Sequence, residues 1–132
     1  MKRLLLTSAA AILLLASLNG LMRSRSRSEP EDRVDLKVWY ESYNENYFLG
    51  ALPADTVVVY GNIWPNMGLT TRQEGVYHII IDAQANKAGR VAQMTELHEM
   101  CHVKLFPNMQ HDRRFENEML ILANKGAFKG VW

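Results

Sequence analysis

The segment TELHEMCHVKL, Thr95 to Leu105, constrains the fold most, because it places two histidines and two acids inside a partly apolar run with helical spacing. His98 and His102 are four residues apart, so on an α-helix their imidazoles project from one face about one turn apart. Two such rings can reach one ion from a single rigid element. The segment therefore predicts a helix at the edge of the core, with a polar site on one side.

The residues from His98 to His102 also form the H-E-x-x-H pattern, in which two histidines bind Zn²⁺ and the glutamate acts on water activated by the metal. Glu99 can take a proton there without occupying the metal. The alternative is a plain core face, since Val91 and Leu105 continue the same stripe. Two unpaired imidazoles in a core would be costly, so the pattern favours a metal site with Glu99 as general base.

A catalytic zinc site needs a third protein ligand. The single cysteine, Cys101, excludes an internal disulfide and a paired-cysteine zinc ribbon, and we expect it to be a core residue. His111 follows His102 after a loop with room to turn back, whereas Glu116 and Glu118 offer carboxylates from the next predicted helix. The spacing favours His111 as the third ligand and leaves Glu116 and Glu118 as alternatives.

The patterning of residues 34–132 predicts one α+β domain, in which an N-terminal helix precedes a small antiparallel sheet of about three strands and two further helices. Fifteen basic and 14 acidic residues give a net charge of +1, which does not indicate a nucleic-acid partner. The predicted helices are Val34–Leu49, Gly89 to about Leu105 and about Asp112 to Lys125, and the predicted strands are Thr56–Tyr60, Leu69–Arg72 and Val76–Ile81.

The N-terminus predicts a signal or membrane-anchor segment at residues 1–22, because two basic residues precede an apolar run at 4–22. A polar Arg/Ser linker at residues 23–33 follows, and its arginines resist translocation. We therefore expect membrane association through residues 4–22 in a membrane-anchored or exported protein. A cytoplasmic protein with an artefactual start is the alternative.

Two segments resemble the SprT-like zinc metallopeptidases, the family to which the Spartan proteases of DNA–protein crosslink repair belong. They are LHEMCHVKLF at Leu97–Phe106 and HDRRFENEM at His111–Met119. The second is similar to that family's H-G-x-x-F segment, with Asp112 in place of the glycine. The resemblance covers about Val34 to Trp132 and implies a zincin-like minimal metallopeptidase core.

The resemblance implies that His98, His102 and His111 are the zinc ligands and that Glu99 is the general base. It also implies that the strand Val76–Ile81 borders a cleft, where an extended substrate adds through main-chain hydrogen bonds. The chain has no cysteine-rich ribbon and no recognisable DNA-binding tail, so the repair role of Spartan is not carried over.

These observations predict a zinc-dependent endopeptidase acting on protein or peptide substrates. One alternative is a non-catalytic binding module stabilised by zinc, which has no use for Glu99. Another is a DNA-associated protease of the Spartan kind. Tyr77 and His78 are further candidates for stabilising an oxyanion, although packing in the sheet is the more common role of such residues.

Overall fold

The computed structural model describes residues 35–131. They form a small α+β domain with helices α1 (Leu36–Tyr47), α2 (Gly89–Leu105) and α3 (Arg113–Asn124), and strands β1 (Val57–Gly61), β2 (Gly68–Gln73) and β3 (Val76–Asp82). The predicted anchor at residues 1–22 and the linker at 23–33 lie outside the described residues. Within 35–131, every helix is too short or too polar to cross a membrane.

Local sequence signals explain the helix ends. Asp35 caps α1 by accepting hydrogen bonds from the backbone N–H groups of the first turn, and Asp112 caps α3 in the same way. Such a cap stabilises a helix by about 1 kcal/mol. Helix α2 ends at Leu105, two residues before Pro107, since the residue preceding a proline avoids the helical region.

The prediction of an antiparallel sheet is wrong for one of its two strand pairs. The strand order is β1-β3-β2, and β1 runs parallel to β3 while β2 runs antiparallel to it. The connection at residues 62–67 carries the chain past the end of β3, so that β1 and β2 flank β3 instead of pairing with each other. Asp82 anchors this connection, because its carboxylate accepts a hydrogen bond of 2.9 Å from the backbone N–H of Ile63.

The sheet order also corrects the expected place of an extended substrate. Both edges of β3 are occupied by neighbouring strands, so no peptide can add alongside Val76–Ile81. The β2–β3 turn is a tight one in which Glu74 and Gly75 both have positive φ, as a type I′ hairpin turn requires. Among the described strands, β2 forms the edge on that side of the sheet.

Helix α2 lies at the centre of the domain and contacts α1, α3, β2 and β3. The register places Val58, Ile79 and Thr70 on the same face of the sheet, the face that α2 covers. Leu97, Met100 and Cys101 fill the core from the helix, and the fully buried remainder includes Tyr40, Ile81 and Leu122. The predicted site therefore lies on an element that the core fixes from several sides.

Candidate metal centre

The three predicted histidine ligands come together in the structure. The Nε2 atom of His111 lies 3.0 Å from that of His98 and 3.0 Å from that of His102, and the remaining pair is 3.3 Å apart. His102 is buried, His98 is partly buried and His111 is exposed. The cluster therefore opens to solvent on the side of His111.

Two elements build this cluster. Helix α2 presents His98 and His102 one turn apart, and the segment before α3 returns His111 to them. The loop is held by Asn108, whose side chain donates a hydrogen bond of 3.0 Å to the Asp112 carboxylate that caps α3. Asp112, which stands where the H-G-x-x-F segment has glycine, therefore holds the loop and caps α3.

The ring of Phe115 packs against all three imidazole rings. Its ring centroid lies 4.6 Å from each of the three imidazole centroids, and it stacks on His102 at an interplanar angle of 26°. Phe115 is buried, so it links the cluster to the core. The sequence analysis did not single it out as a site residue, although it stands in the F position of the segment similar to H-G-x-x-F.

The imidazoles of His98 and His102 are held in their neutral form. Burial, together with the neighbouring His102 and His111, lowers the pKa of His98 to about 4. Burial, followed by His111, also lowers the pKa of His102. A neutral imidazole is the form that binds a metal ion.

Three neutral imidazoles in this arrangement cannot all be joined by hydrogen bonds. Each Nε2 is either a donor or an acceptor, and in a triangle of mutual contacts at least one pair must join two atoms of the same kind. A cation that accepts all three lone pairs removes the conflict. Nitrogens that share a tetrahedral zinc at about 2.0 to 2.1 Å lie about 3.3 to 3.4 Å apart, close to the observed spacing. The donor set therefore fits Zn²⁺.

The other nitrogen of His102 departs from the usual pattern of metal-binding histidines, which donate their second N–H to an acceptor. Its Nδ1 atom is buried and has no hydrogen-bond partner among residues 35–131. The orientation of this ring is instead set by the stacked Phe115.

Glu99 lies in the same cleft as the three histidines and is only 5% exposed. Its carboxylate accepts a hydrogen bond of 2.6 Å from the hydroxyl of Thr70 on β2. Burial raises the pKa of Glu99 to about 7, against the opposing effect of the Thr70 hydrogen bond. A carboxylate with a pKa near neutrality is suited to accept and return a proton at physiological pH.

The competing carboxylate ligands are not part of the cluster. Glu118 pairs with Lys104 at 2.7 Å. Glu116 lies in the first turn of α3 and borders a smaller cavity beside His98 and His111, but it does not belong to the group of converging ligand atoms. Of the alternatives that spacing left open, the structure brings only His111 to the helix pair.

The two candidates for oxyanion stabilisation lie elsewhere. Tyr77 packs edge-on against Phe106 at 5.3 Å, and the guanidinium of Arg72 lies 5.2 Å from its ring centroid. His78 is the next residue on β3 and therefore points to the opposite face of the sheet. Neither residue lines the cleft that holds Glu99.

The cleft around the site has a volume of about 700 Å³ and is mainly apolar. Of the described residues that line it, Glu99 is the only one with a carboxylate, and none is a lysine or an arginine. Four methionines contribute to its walls, namely Met67, Met94, Met109 and Met119. No periodic pattern marks these methionines in the sequence, because they come from four different segments.

This chain matches no protein-family model and no curated protein. The similarity to SprT-like metallopeptidases therefore stays a sequence-based expectation.

Proposed function

We propose that this protein is a zinc-dependent metallopeptidase of the SprT-like, zincin kind, and that it acts as an endopeptidase. His98, His102 and His111 would hold Zn²⁺, and Glu99 would serve as the general base. The observation that carries the proposal is the convergence of three imidazole nitrogens within 3.3 Å, in one cleft with a buried carboxylate.

Each residue has a defined task in this mechanism. Zinc, when bound, supplies a Lewis acid that polarises a carbonyl group and lowers the pKa of water towards about 7. Glu99 accepts a proton from the attacking water and passes it to the leaving amine, which a carboxyl group with a pKa near 7 can do in both directions. Phe115 keeps bulk water away from the inner side of the imidazoles.

Strand β2 offers a place for an extended substrate. Its outer edge has no strand partner within residues 35–131, and two of its residues, Gly68 and Thr70, contact Glu99. A peptide that adds to this edge forms main-chain hydrogen bonds independent of its sequence. We therefore expect a protein or peptide substrate in an extended conformation.

The test compares casein cleavage by the full-length protein and its Glu99→Gln variant, with zinc content measured for both. Loss of a general base should reduce the rate by about 100-fold or more without loss of zinc. The matched control is Glu116→Gln, which removes a carboxyl group outside the cluster and should leave the rate unchanged.

Other outcomes would identify the alternative functions. Equal background cleavage by both proteins with full zinc content would indicate a non-catalytic, zinc-stabilised binding module. Cleavage that depends on added single-stranded DNA would support a DNA-associated protease, a role that the net charge of +1 does not favour. Membrane association through residues 4–22 stays a separate prediction, testable by fractionation of cells that express the full chain.

A further inference from the structure

The hydroxyl of Thr70 is buried against the proposed general base. Thr70 is 4% exposed, and its Oγ1 lies 2.6 Å from Oε2 and 3.2 Å from the main-chain oxygen of Glu99. A hydroxyl has one proton to donate, and the shorter contact to the carboxylate has the length of a charge-assisted hydrogen bond. Thr70 therefore fixes one oxygen of Glu99.

Gly68, two residues earlier on the same strand, leaves room for the other oxygen. A Cβ atom at this position would lie 2.5 Å from Oε1 of Glu99 and 2.8 Å from Cγ2 of Thr95. Side-chain carbons do not approach other atoms so closely, so a residue with a side chain would displace the carboxylate. Glu99 thus packs directly against the main chain of β2.

A buried hydrogen-bond chain holds the start of β2 at this distance from α2. Asn86 donates to the main-chain oxygen of Met67 at 2.9 Å and accepts from the hydroxyl of Thr95 at 2.6 Å. Thr95 lies one helical turn before Glu99. The strand that contacts Glu99 and the helix that carries it are therefore linked through one amide side chain.

We infer that Thr70 is a positioning residue, which holds the Glu99 carboxylate in a single orientation for proton transfer, and that Gly68 provides the space for it. The inference rests on the proposed function. A free glutamate side chain samples several rotamers, and only some of them direct an oxygen into the cleft. Fixing one oxygen on Thr70 leaves the other available to the reacting proton.

The test uses three variants of the full-length protein, two at position 70 and one at position 71 of β2. Thr70→Val removes the hydroxyl and keeps the shape, Thr70→Ser keeps the hydroxyl, and Thr71→Val makes the same change on the opposite face of the sheet. We expect kcat to fall about 10- to 100-fold in Thr70→Val, the effect of losing a hydrogen bond to a charged group, with KM and zinc content unchanged. Thr70→Ser and Thr71→Val should keep kcat within about threefold of the parent.

Normal kcat in Thr70→Val, or a loss as large in Thr70→Ser as in Thr70→Val, would overturn the inference. Gly68→Ala provides a second variant should Thr70→Val fail to fold. It should lower kcat with zinc retained, and full activity in this variant would contradict the proposed packing.

A spectroscopic measurement separates this inference from the proposed function. In protein labelled with ¹³C at the glutamate carboxyl carbons, the Glu99 signal is the one that disappears in Glu99→Gln. Its position should be the same in the parent and Thr70→Ser and should shift in Thr70→Val. Absence of Glu99-dependent cleavage would refute the metallopeptidase, whereas an unmoved Glu99 signal would refute the role of Thr70 alone.

Discussion

The Nε2 atoms of His98 and His111 lie 3.0 Å apart although the residues are 13 positions apart in the sequence. Helix geometry alone explains the approach of His98 to His102, but not that of His111. The third imidazole is brought in by the loop after α2 and by Phe115 in the first turns of α3. Convergence of the three histidines thus depends on the packing of α3 against α2.

Replacement of His111 by alanine should weaken zinc binding much more than replacement of Glu116. Removing a ligand should cost more than the roughly 10- to 100-fold in affinity that accompanies loss of a residue supporting a ligand. Metal analysis after dialysis against a competing chelator measures the difference between the two variants. Equal zinc retention in His111→Ala and the parent would show that the third ligand is another group.

The metal-free protein should lose stability as the pH falls from about 6.5 to about 4. In this range the unfolded chain takes up a proton at His98, whereas burial keeps the folded protein from binding it until about pH 4. The free energy of unfolding should fall by up to about 3 kcal/mol from this group. Urea titrations in EDTA at several pH values measure the effect, and His98→Gln should reduce the slope. An unchanged slope in that variant would contradict the assignment.

Glu96 should have the opposite pH dependence. It is fully buried, and both of its carboxylate oxygens lack a hydrogen-bond partner among the described residues. Burial, followed by the charge of Asp35, raises its pKa to about 9. Above pH 4.5 the unfolded chain loses a proton that the folded state keeps, so this contribution to stability declines as the pH rises towards 9.

The variant Glu96→Gln removes the titration while keeping the shape of the side chain. Its free energy of unfolding should exceed that of the parent at pH 8 by an amount on the order of 5 kcal/mol, and the two should converge near pH 4.5. Urea titrations of both proteins at the two pH values provide the measurement. A difference that does not grow with pH would show that Glu96 has an unrecognised partner.

The lining of the cleft predicts a preference for apolar side chains next to the cleaved bond. Methionine side chains are flexible and adapt to different apolar groups, and the carboxylate of Glu99 disfavours acidic residues. We expect peptides with leucine at this position to be cleaved about tenfold or more faster than those with alanine or aspartate. Profiling of cleavage sites in a peptide mixture measures the preference.

Two exposed apolar positions provide a matched pair of variants for this preference. Met67 is 46% exposed and lines the cleft, whereas Val38 is 57% exposed on α1 and does not. Met67→Lys should reduce cleavage of the leucine peptide and increase that of the aspartate peptide. Val38→Lys should leave both rates unchanged, and identical profiles for the two variants would exclude Met67 from the substrate site.

The sequence was sufficient to predict the helices and strands but not the direction in which the strands pair. Helix α2 was predicted at its observed bounds, because apolar residues recur with helical spacing and Pro107 follows its end. Each end of the three predicted strands lies within one residue of the observed end, since β-branched runs identify strands locally. The parallel pairing of β1 accompanies a contact between residues 19 positions apart, the hydrogen bond from the Ile63 N–H to the Asp82 carboxylate, which no local pattern specifies.

In the candidate site, too, local sequence patterns predict some residues, whereas others are identified only by tertiary contacts. His98, Glu99 and His102 form a local pattern, so helix geometry alone placed them together. The convergence of His111 on the helix pair, rather than of Glu116 or Glu118, depends on tertiary contacts, among them the pairing of Lys104 with Glu118. Thr70 precedes its partner Glu99 by 29 residues and stands in no recognisable pattern, so it was found only from the structure.

The strand order β1-β3-β2 has a consequence for the folding pathway. The β2–β3 hairpin closes over a two-residue turn, which costs little loop entropy. Strand β1 is joined to the hairpin through residues 62–67, which have to cross the end of β3 before β1 can pair with it. We expect the hairpin to form early and β1 to dock late. Destabilising substitutions in the hairpin should then slow refolding, while those in β1 should mainly accelerate unfolding, as stopped-flow kinetics would measure.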